Sequence, residues 1–342
     1  GTNAPPDRVA TILAKTTAHA VPLDDLVPAQ TYFYRVVSAD IAGNRATNDN
    51  GGSLYTLVAP SVPPVLLVDG FYDDFLFGAV PPTAYTDALN ALGVGYDLWD
   101  HLIAGSPSLA TLSPYRVILW RVPEANISSY PTFTPAEQTA IGDYLDQGGA
   151  FFVASMDLTT RLNEVNADEF RSEVLKVAAY QQDVGVSSMT GVSDDVIGDG
   201  ISLTTDYTIA YFGFDISDTL TPTTDATGIF TEDTSGGATG LRYPAPGVEG
   251  SGRRVVLGFP FDSIPASGTT PNNRVEVFRR ILQFLSPGVT GEAVVSLDRS
   301  AYTLPAIVTV EVGDIDLEGA GSLTLTLLSS TEPGGRPLLL PE

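Results

Sequence analysis

Two hydrophobic rhythms alternate through the middle of the chain. Val65 to Val68 is a continuous apolar run, as expected of a parallel strand covered on both faces. Tyr85, Ala88, Leu89 and Leu92 then fall at the spacing of a helix face, and Gly93 ends that helix. Tyr96 to Trp99 and Arg116 to Trp120 (RVILW) read as the next buried strands. Thr134-Pro135-Ala136-Glu137 is a capping box with proline at the first helical position. The helix it opens buries Ile141, Tyr144 and Leu145 and stops at Gly148-Gly149, before the strand Phe151 to Ala154. Asn166-x-x-Glu169 is predicted to cap a further helix, with Phe170, Val174, Val177 and Ala178 on one face. Asn273-x-x-Glu276 caps the last, with Phe278, Ile281, Leu282 and Leu285 inward. Short β-rich segments lie between these two: Gly228 to Glu232, Gly240 to Tyr243 and Arg254 to Phe259. The alternation predicts βαβ units and an α/β domain over 64–287, built on a doubly wound, mostly parallel sheet.

The rhythm changes to strict alternation at both ends. In residues 1–61, Ala18 to Leu26 reads as one strand and Ser53 to Val58 as another. Between them, Thr31 to Ala39 sets Tyr32, Tyr34 and Val36 against Phe33, Arg35 and Val37, which predicts a half-buried strand before a turn at Asp40 to Asn44. Pro60 to Pro64 reads as a stiff linker. From 290 to 342, VVSLDRSAY, IVTVEV and SLTLTLL predict the opening strands of a second β-sandwich.

Two resemblances follow from these stretches. LVPAQTYFYRVVSADIAGNRA resembles the back half of a fibronectin type III domain, through Leu26, Pro28, Tyr32, Tyr34, Val37, Asp40, Gly43 and Asn44. The front strands of such a sandwich are not found, so Gly1 is expected to lie inside a domain and both sandwich pieces to be partial. Residues 64–287 resemble the flavodoxin-like domain of class I glutamine amidotransferases, in a divergent form found in large secreted bacterial proteins. That likeness rests on VLLVDG (65–70), YTDALNALGVGYDLWD (85–100), YRVILW (115–120), LDQGGAFFVASMDL (145–158) and RRVVLGFPFDSI (253–264). It implies a nucleophilic cysteine on a strand-to-helix elbow, with a histidine partner. This chain has no cysteine, and the elbow reads Arg121-Val122-Pro123-Glu124. The family's activity is therefore expected to be lost.

Composition narrows the partners. With 43% hydrophobic and 17% charged residues the chain is globular rather than disordered. The formal net charge of −24 repels nucleic acid and anionic lipid. No apolar run reaches the roughly 18 residues needed to cross a bilayer, so no membrane insertion is expected. The absence of cysteine does not fix the compartment, but the wealth of Gly, Pro, Thr, Ser and Asp, with little Lys and Glu, suits an extracellular or cell-surface bacterial protein.

Few residues carry candidate chemistry. No Gly-x-Ser-x-Gly occurs. Ser155 is the best placed serine, and the histidines are His19 and His101, the latter read as a surface loop residue. Ligands of an open α/β sheet bind beyond the carboxyl ends of its strands. Asp69, Asp73, Asp74, Asp100 and Asp157 follow such strands and are candidate Ca²⁺ ligands, oxygen donors of the kind that ion prefers. Asp194, Asp195 and Asp199 form a second acidic group, and Asp314, Asp316 and Glu318 a third. Helix and loop capping is the competing role for all of them. Phe71, Tyr72, Phe75 and Phe77 crowd the loop after the first strand, with Tyr207, Tyr211, Phe212 and Phe214 a similar group, either folded onto the domain or offered to a protein or carbohydrate.

The expected function is a non-catalytic module of a larger secreted or surface protein, serving adhesion, spacing or assembly. Its partner is then another protein or further copies of the chain, with strand addition between copies as one route. The rival expectation is the accessory region of a secreted peptidase or other hydrolase. Direct hydrolysis through Ser155 or the acidic edge is a third.

Overall fold

The computed structural model describes residues 30–40, 42–58, 62–71, 78, 80–124, 132–291, 294–297, 308–313, 322–328 and 333–341. The chain divides into two compact units, Gly1–Val62 and Pro63–Glu342. The expected strand at Ala18 to Leu26 lies outside the described residues.

In the first unit, β1 (Thr31–Tyr34) and β2 (Val36–Ala39) are separated at Arg35 and take different partners. β1 pairs antiparallel with β4 (Tyr55–Val58), and β2 with β3 (Arg45–Asn48). The turn between β2 and β3 is held by Asp40, whose Oδ1 accepts from the amides of Ala42 (2.9 Å) and Asn44 (2.8 Å). Tyr34 and Tyr55 stack at 5.4 Å between ring centroids. The predicted half-buried face is not observed: Phe33 is 67% exposed, and Val36 and Val37 are also exposed. The described strands form two separate two-stranded ladders, β1–β4 and β2–β3, rather than one sheet.

The second unit is organised around the parallel strands β5 (Val65–Asp69), β6 (Tyr96–Asp100), β7 (Val117–Arg121), β8 (Ala150–Ala154) and, later in the chain, β15 (Arg253–Leu257). The helices α1 (Thr83–Ala91), α2 (His101–Ala104), α3 (Leu109–Leu112), α4 (Pro135–Asp146) and α5 (Leu158–Glu164) connect or follow them. The chain then runs through β9 (Val177–Gln181), β10 (Ser188–Gly191), β11 (Ser202–Thr204), β12 (Thr219–Pro222), β13 (Thr227–Glu232) and β14 (Ala238–Tyr243). It returns as β15 (Arg253–Leu257) and α6 (Arg274–Leu285).

The sheet order is β11-β10-β13-β14-β15-β8-β7-β5-β6. β6, β5, β7, β8 and β15 are parallel neighbours in that order. This is the 2-1-3-4-5 winding of flavodoxin-like sheets, with its switch point between β5 and β7. β14, β13, β10 and β11 extend the sheet antiparallel beyond β15, and β12 joins β14 to β9. The fold is thus the expected doubly wound α/β domain with further strands around it.

Alternating side chains feed two cores. Val65, Leu67, Leu119 and Phe152 pack with Tyr85 and Leu89 of α1 and with Phe278 and Ile281 of α6. Leu66, Val68, Ile118, Trp120 and Phe151 pack with Ile141 and Tyr144 of α4 and Leu162 of α5. Both capping signals form. Thr134 N donates to Glu137 Oε2 (2.7 Å), Glu137 N to Thr134 Oγ1 (3.3 Å), and Glu276 N to Asn273 Oδ1 (3.0 Å).

Residues 166–178 depart from expectation. A helical segment does follow Asn166, over residues 168–174 with Phe170 and Val174 packed inward, but Asn166 is not its cap: it stops the unforeseen α5, in left-handed conformation (φ 55°), with Ala167 N bonded back to Leu162 O at 2.8 Å. Asparagine tolerates that conformation, so it serves as a helix terminator here. Phe170–Val174 is a π-helical turn, and Lys176 at φ 64° redirects the chain into β9. Val177 and Ala178 therefore lie on a strand that pairs with β12.

At the end of the chain, β16 (Val294–Leu297) pairs with β17 (Val310–Gly313), and β18 (Ser322–Leu327) with β19 (Arg336–Pro341). Arg253 of β15 forms an ion pair with Glu311.

Candidate functional site

The switch point places the ends of β5 and β7 side by side, with Asp69 opposite Arg121 in the parallel register. Arg121 is 2% exposed. Its Nη1 donates to Asp69 Oδ1 at 2.6 Å and its Nη2 to Val80 O at 2.9 Å. Asp262, in the short 3-10 turn after β15, brings Oδ1 to 4.0 Å from the same Nη2. The guanidinium also lies 5.1 Å from the Phe71 ring centroid and 5.7 Å from that of Tyr85. Burial favours loss of its proton, but Asp262 and Asp69 outweigh that and hold it more firmly charged than usual. Burial raises Asp262, partly offset by Arg121 and Arg274. Gly70 completes the arrangement: its amide donates to Arg121 O at 3.1 Å, and a Cβ there would lie 2.7 Å from that oxygen.

Beyond β7, Glu124 is buried and its Oε2 accepts from Met156 N at 2.6 Å. Ser155, also buried, hydrogen-bonds to Glu124, while its Oγ accepts from Asp157 N at 3.2 Å. Burial pushes the Glu124 carboxyl well above the usual range. His101 is engaged elsewhere: it opens α2 and its Nε2 pairs with Glu137 Oε1. It is mostly buried rather than a surface loop residue, because Asp100 caps α2 at Ile103 N (3.1 Å) and turns the ring over Trp120 toward α4. Burial raises Glu137, but hydrogen bonds from His101, Ser106 and Thr134 outweigh it and lower the carboxyl overall. His19 lies outside the described residues.

A second polar centre forms at the start of α5. Asp157 and Asp218 are both buried and repel each other. Asp218 Oδ2 accepts from Thr159 Oγ1, and Oδ1 from Asp183 N at 3.2 Å. Burial, and then the charge of Asp218, push Asp157 up to about 7. Burial pushes Asp218 up to about 6. Sequence reasoning singled out Asp157 but passed over Asp218 and Asp262. Both stand in short β-rich or turn segments with no capping or periodic signal, and only the long-range pairing of β15 and β12 brings them here.

The expected calcium ligands divide as follows. Asp69 is bound to Arg121, and Asp157 faces Asp218. Asp73, Asp74, Asp314, Asp316 and Glu318 lie outside the described residues. In the second acidic group, Asp195 Oδ2 pairs with Arg242 Nε at 2.6 Å, and its Oδ1 takes the amides of Ile197 and Gly198. Asp199 takes the amide of Asp194 at 3.0 Å. These are capping roles. Among the described residues no group of three or more acidic or histidine side chains is placed to hold a metal ion.

The aromatic groups split. Tyr207 and Tyr211 are buried with Met156 and Val80, and Phe71 packs against them. Phe212 and Phe214 point outward. Tyr72, Phe75 and Phe77 lie outside the described residues.

No protein-family model matches the chain. No curated protein matches it either. Solved structures similar to it include a cytoplasmic protein from Salmonella typhimurium, at 16% identity and a TM-score of 0.41, covering 65% of this chain and 98% of that one. A ThuA-like protein from Bacteroides uniformis is similar at 10% identity and a TM-score of 0.41, covering 68% and 95%. A glutamine amidotransferase from Methylobacillus flagellatus is similar at 9% identity and a TM-score of 0.38, covering 67% and 92%. A likeness of that extent says nothing of activity.

Proposed function

We propose that this chain is a non-catalytic interaction module of a large extracellular bacterial protein, serving adhesion, spacing or assembly. The observation that carries the reading is Arg121. At the switch point, where a fold of this winding binds its ligands, a buried guanidinium is neutralised by Asp69 and faced by Asp262. A charge so enclosed is part of the scaffold, and leaving it unpaired would be costly. The nearest serine, Ser155, is buried and bonded to Glu124, a carboxyl that burial pushes well above its usual range. The chain has no cysteine, which removes the nucleophile implied by the amidotransferase resemblance.

The extracellular setting is supported by composition and by the fibronectin-like pattern around Tyr32 to Asn44. Assembly is supported by the two-stranded ladders β1–β4, β2–β3, β16–β17 and β18–β19, whose edges suit strand addition.

The test is a panel of esterase, amidase and glycosidase substrates offered to the wild type and to Ser155→Ala, Asp69→Asn and Asp157→Asn. The expected result is a signal at the buffer background in all four proteins. Turnover by the wild type that any of these variants abolishes would overturn the reading.

A further inference from the structure

The loop 205–217 presents three large apolar residues to solvent: Ile209 (84% exposed), Phe212 (74%) and Phe214 (52%). Such exposure within six residues is unusual for a side-chain set that could turn inward. The loop is firmly anchored. Tyr207 and Tyr211 are buried beneath it, and Tyr207 Oη lies 3.0 Å from Val186 O and 2.9 Å from Ser217 Oγ. The amides of Tyr211 and Gly213 both bond to Tyr207 O at 3.0 Å, and Asp206 N bonds to Ser263 O at 2.8 Å. Phe212 adopts φ 52°, a left-handed conformation that disfavours a bulky side chain, and it does so in the act of pointing outward. Strain of this kind persists where the surroundings impose it, and it clusters at functional positions.

Beside this knuckle is an open acidic cleft of about 190 Å³, lined by residues that include Val184, Gly185, Ser187, Asp215, Glu232 and Ser235. Asp215 belongs to both features, following Phe214 directly. Its carboxylate takes the amides of Val186 (2.7 Å) and Ser217 (3.1 Å), which fixes it at the cleft wall. Burial works against the Glu232 anion, but the amides of Ser235 and Thr234 outweigh it and lower the carboxyl below its usual range.

Charge decides between occupants. A second copy would bring another net −24, and an anionic bilayer is repelled for the same reason. We propose that loop 205–217 and the cleft beside it dock a basic polypeptide segment, whose large apolar side chain packs on Ile209 and Phe212 while a neighbouring lysine or arginine enters the cleft at the half-buried Asp215, above the buried charge of Glu232. This deepens the interaction-module reading and rests on it.

The test is fluorescence anisotropy with a labelled peptide alternating lysine with leucine and phenylalanine, compared with its glutamate-for-lysine counterpart. The expected result is binding of the basic peptide alone, weakened at least tenfold by the double variant Ile209→Ser/Phe212→Ser and weakened by raising NaCl from 50 to 500 mM. Ile103→Ser, at an exposed apolar residue on α2, is the control and is expected to bind as the wild type does. Equal binding by the double variant and the wild type overturns the proposal, as does equal binding of the acidic peptide. A dimer in sedimentation velocity that the double variant dissolves also overturns it, by making a second copy the occupant. Turnover in the substrate panel would overturn the non-catalytic reading and leave the anisotropy result standing, so the two failures are distinguishable.

Discussion

Arg121 Nη1 lies 2.6 Å from Asp69 Oδ1, and the two residues are register partners at the ends of adjacent parallel strands. The contact therefore spans the switch point of the sheet. It joins the first strand of the domain to the third, and through Asp262 to the last parallel strand as well. Three segments far apart in sequence are tied at one buried charge, in the place where related topologies leave room for a ligand.

Removing that charge is expected to be costly. Arg121→Met leaves the partly buried Asp69 and Asp262 beside an apolar chain and takes the donor from the carbonyls of Val80 and Pro81. Breaking a buried pair from one side costs about 3–5 kcal/mol. Urea unfolding of the variant at pH 7 should show a loss of that order, and Arg121→Lys a smaller one. A loss below about 1 kcal/mol for Arg121→Met would show that the network contributes little.

Gly70 is the companion test. A Cβ at that position would sit 2.7 Å from Arg121 O, closer than backbone atoms can tolerate. Gly70→Ala must push β5 and β7 apart at their ends or strain them, at a cost of about 1–3 kcal/mol. Equilibrium unfolding would measure it, and an unchanged midpoint would mean that the strand ends yield freely.

Much of this architecture was legible in local pattern. Val65–Val68, the Thr134 capping box and the Asn273 cap each rest on neighbouring residues, and each formed as expected. Helix α5 and strand β9 were not legible. Asn166 can open a helix or close one, and its left-handed conformation depends on Leu162 and Ala167 packing behind it. The site was less legible still. Arg121 at the end of an apolar strand reads as a side chain reaching for solvent. Its burial depends on Asp262, brought alongside only when β15 pairs with β8 and β8 with β7. Phe212 was visible as an aromatic, but neither its exposure nor its conformation follows from neighbouring residues.

The helix cap at Glu137 carries two duties, and they can be separated. Its Oε2 closes the capping box at Thr134 N, while Oε1 pairs with His101. Thr134→Ala removes one arm of the box and is expected to cost about 1 kcal/mol. Glu137→Ala removes the other arm, the acceptor of Thr134 N, and also leaves His101 without its carboxylate, so it should cost more, by about 1–2 kcal/mol. Because the folded Glu137 carboxyl lies below its ordinary 4.5, its contribution is present above that value and is lost as pH falls through the lower folded value. Thermal melts at pH 7 and pH 3 should show Glu137→Ala drawing closer to the wild type at the lower pH, while the cost of Thr134→Ala, whose hydroxyl does not titrate, changes little.

Asp157 and Asp218 predict the opposite pH dependence. Both carboxyls are raised in the folded protein, to about 7 and about 6, from an ordinary value of 3.8. A raised carboxyl binds its proton more tightly when folded than when unfolded. Its favourable contribution is therefore complete below about pH 4 and is lost progressively as pH rises through 6 and 7. Above that, two buried anions face each other across the start of α5. Asp157→Asn removes one of them and keeps the shape. It is expected to stabilise the domain by about 2 kcal/mol at pH 8 and to give no gain at pH 4. Urea unfolding of the wild type and Asp157→Asn across pH 4 to 8 measures the difference directly. Asp218→Asn is the informative contrast, since Asp218 accepts from Thr159 and from Asp183 N. Its amide can replace only part of that acceptance, so its gain at pH 8 should be smaller. A stability difference between wild type and Asp157→Asn that does not vary with pH would mean that the Asp157 carboxyl is not raised in the folded protein.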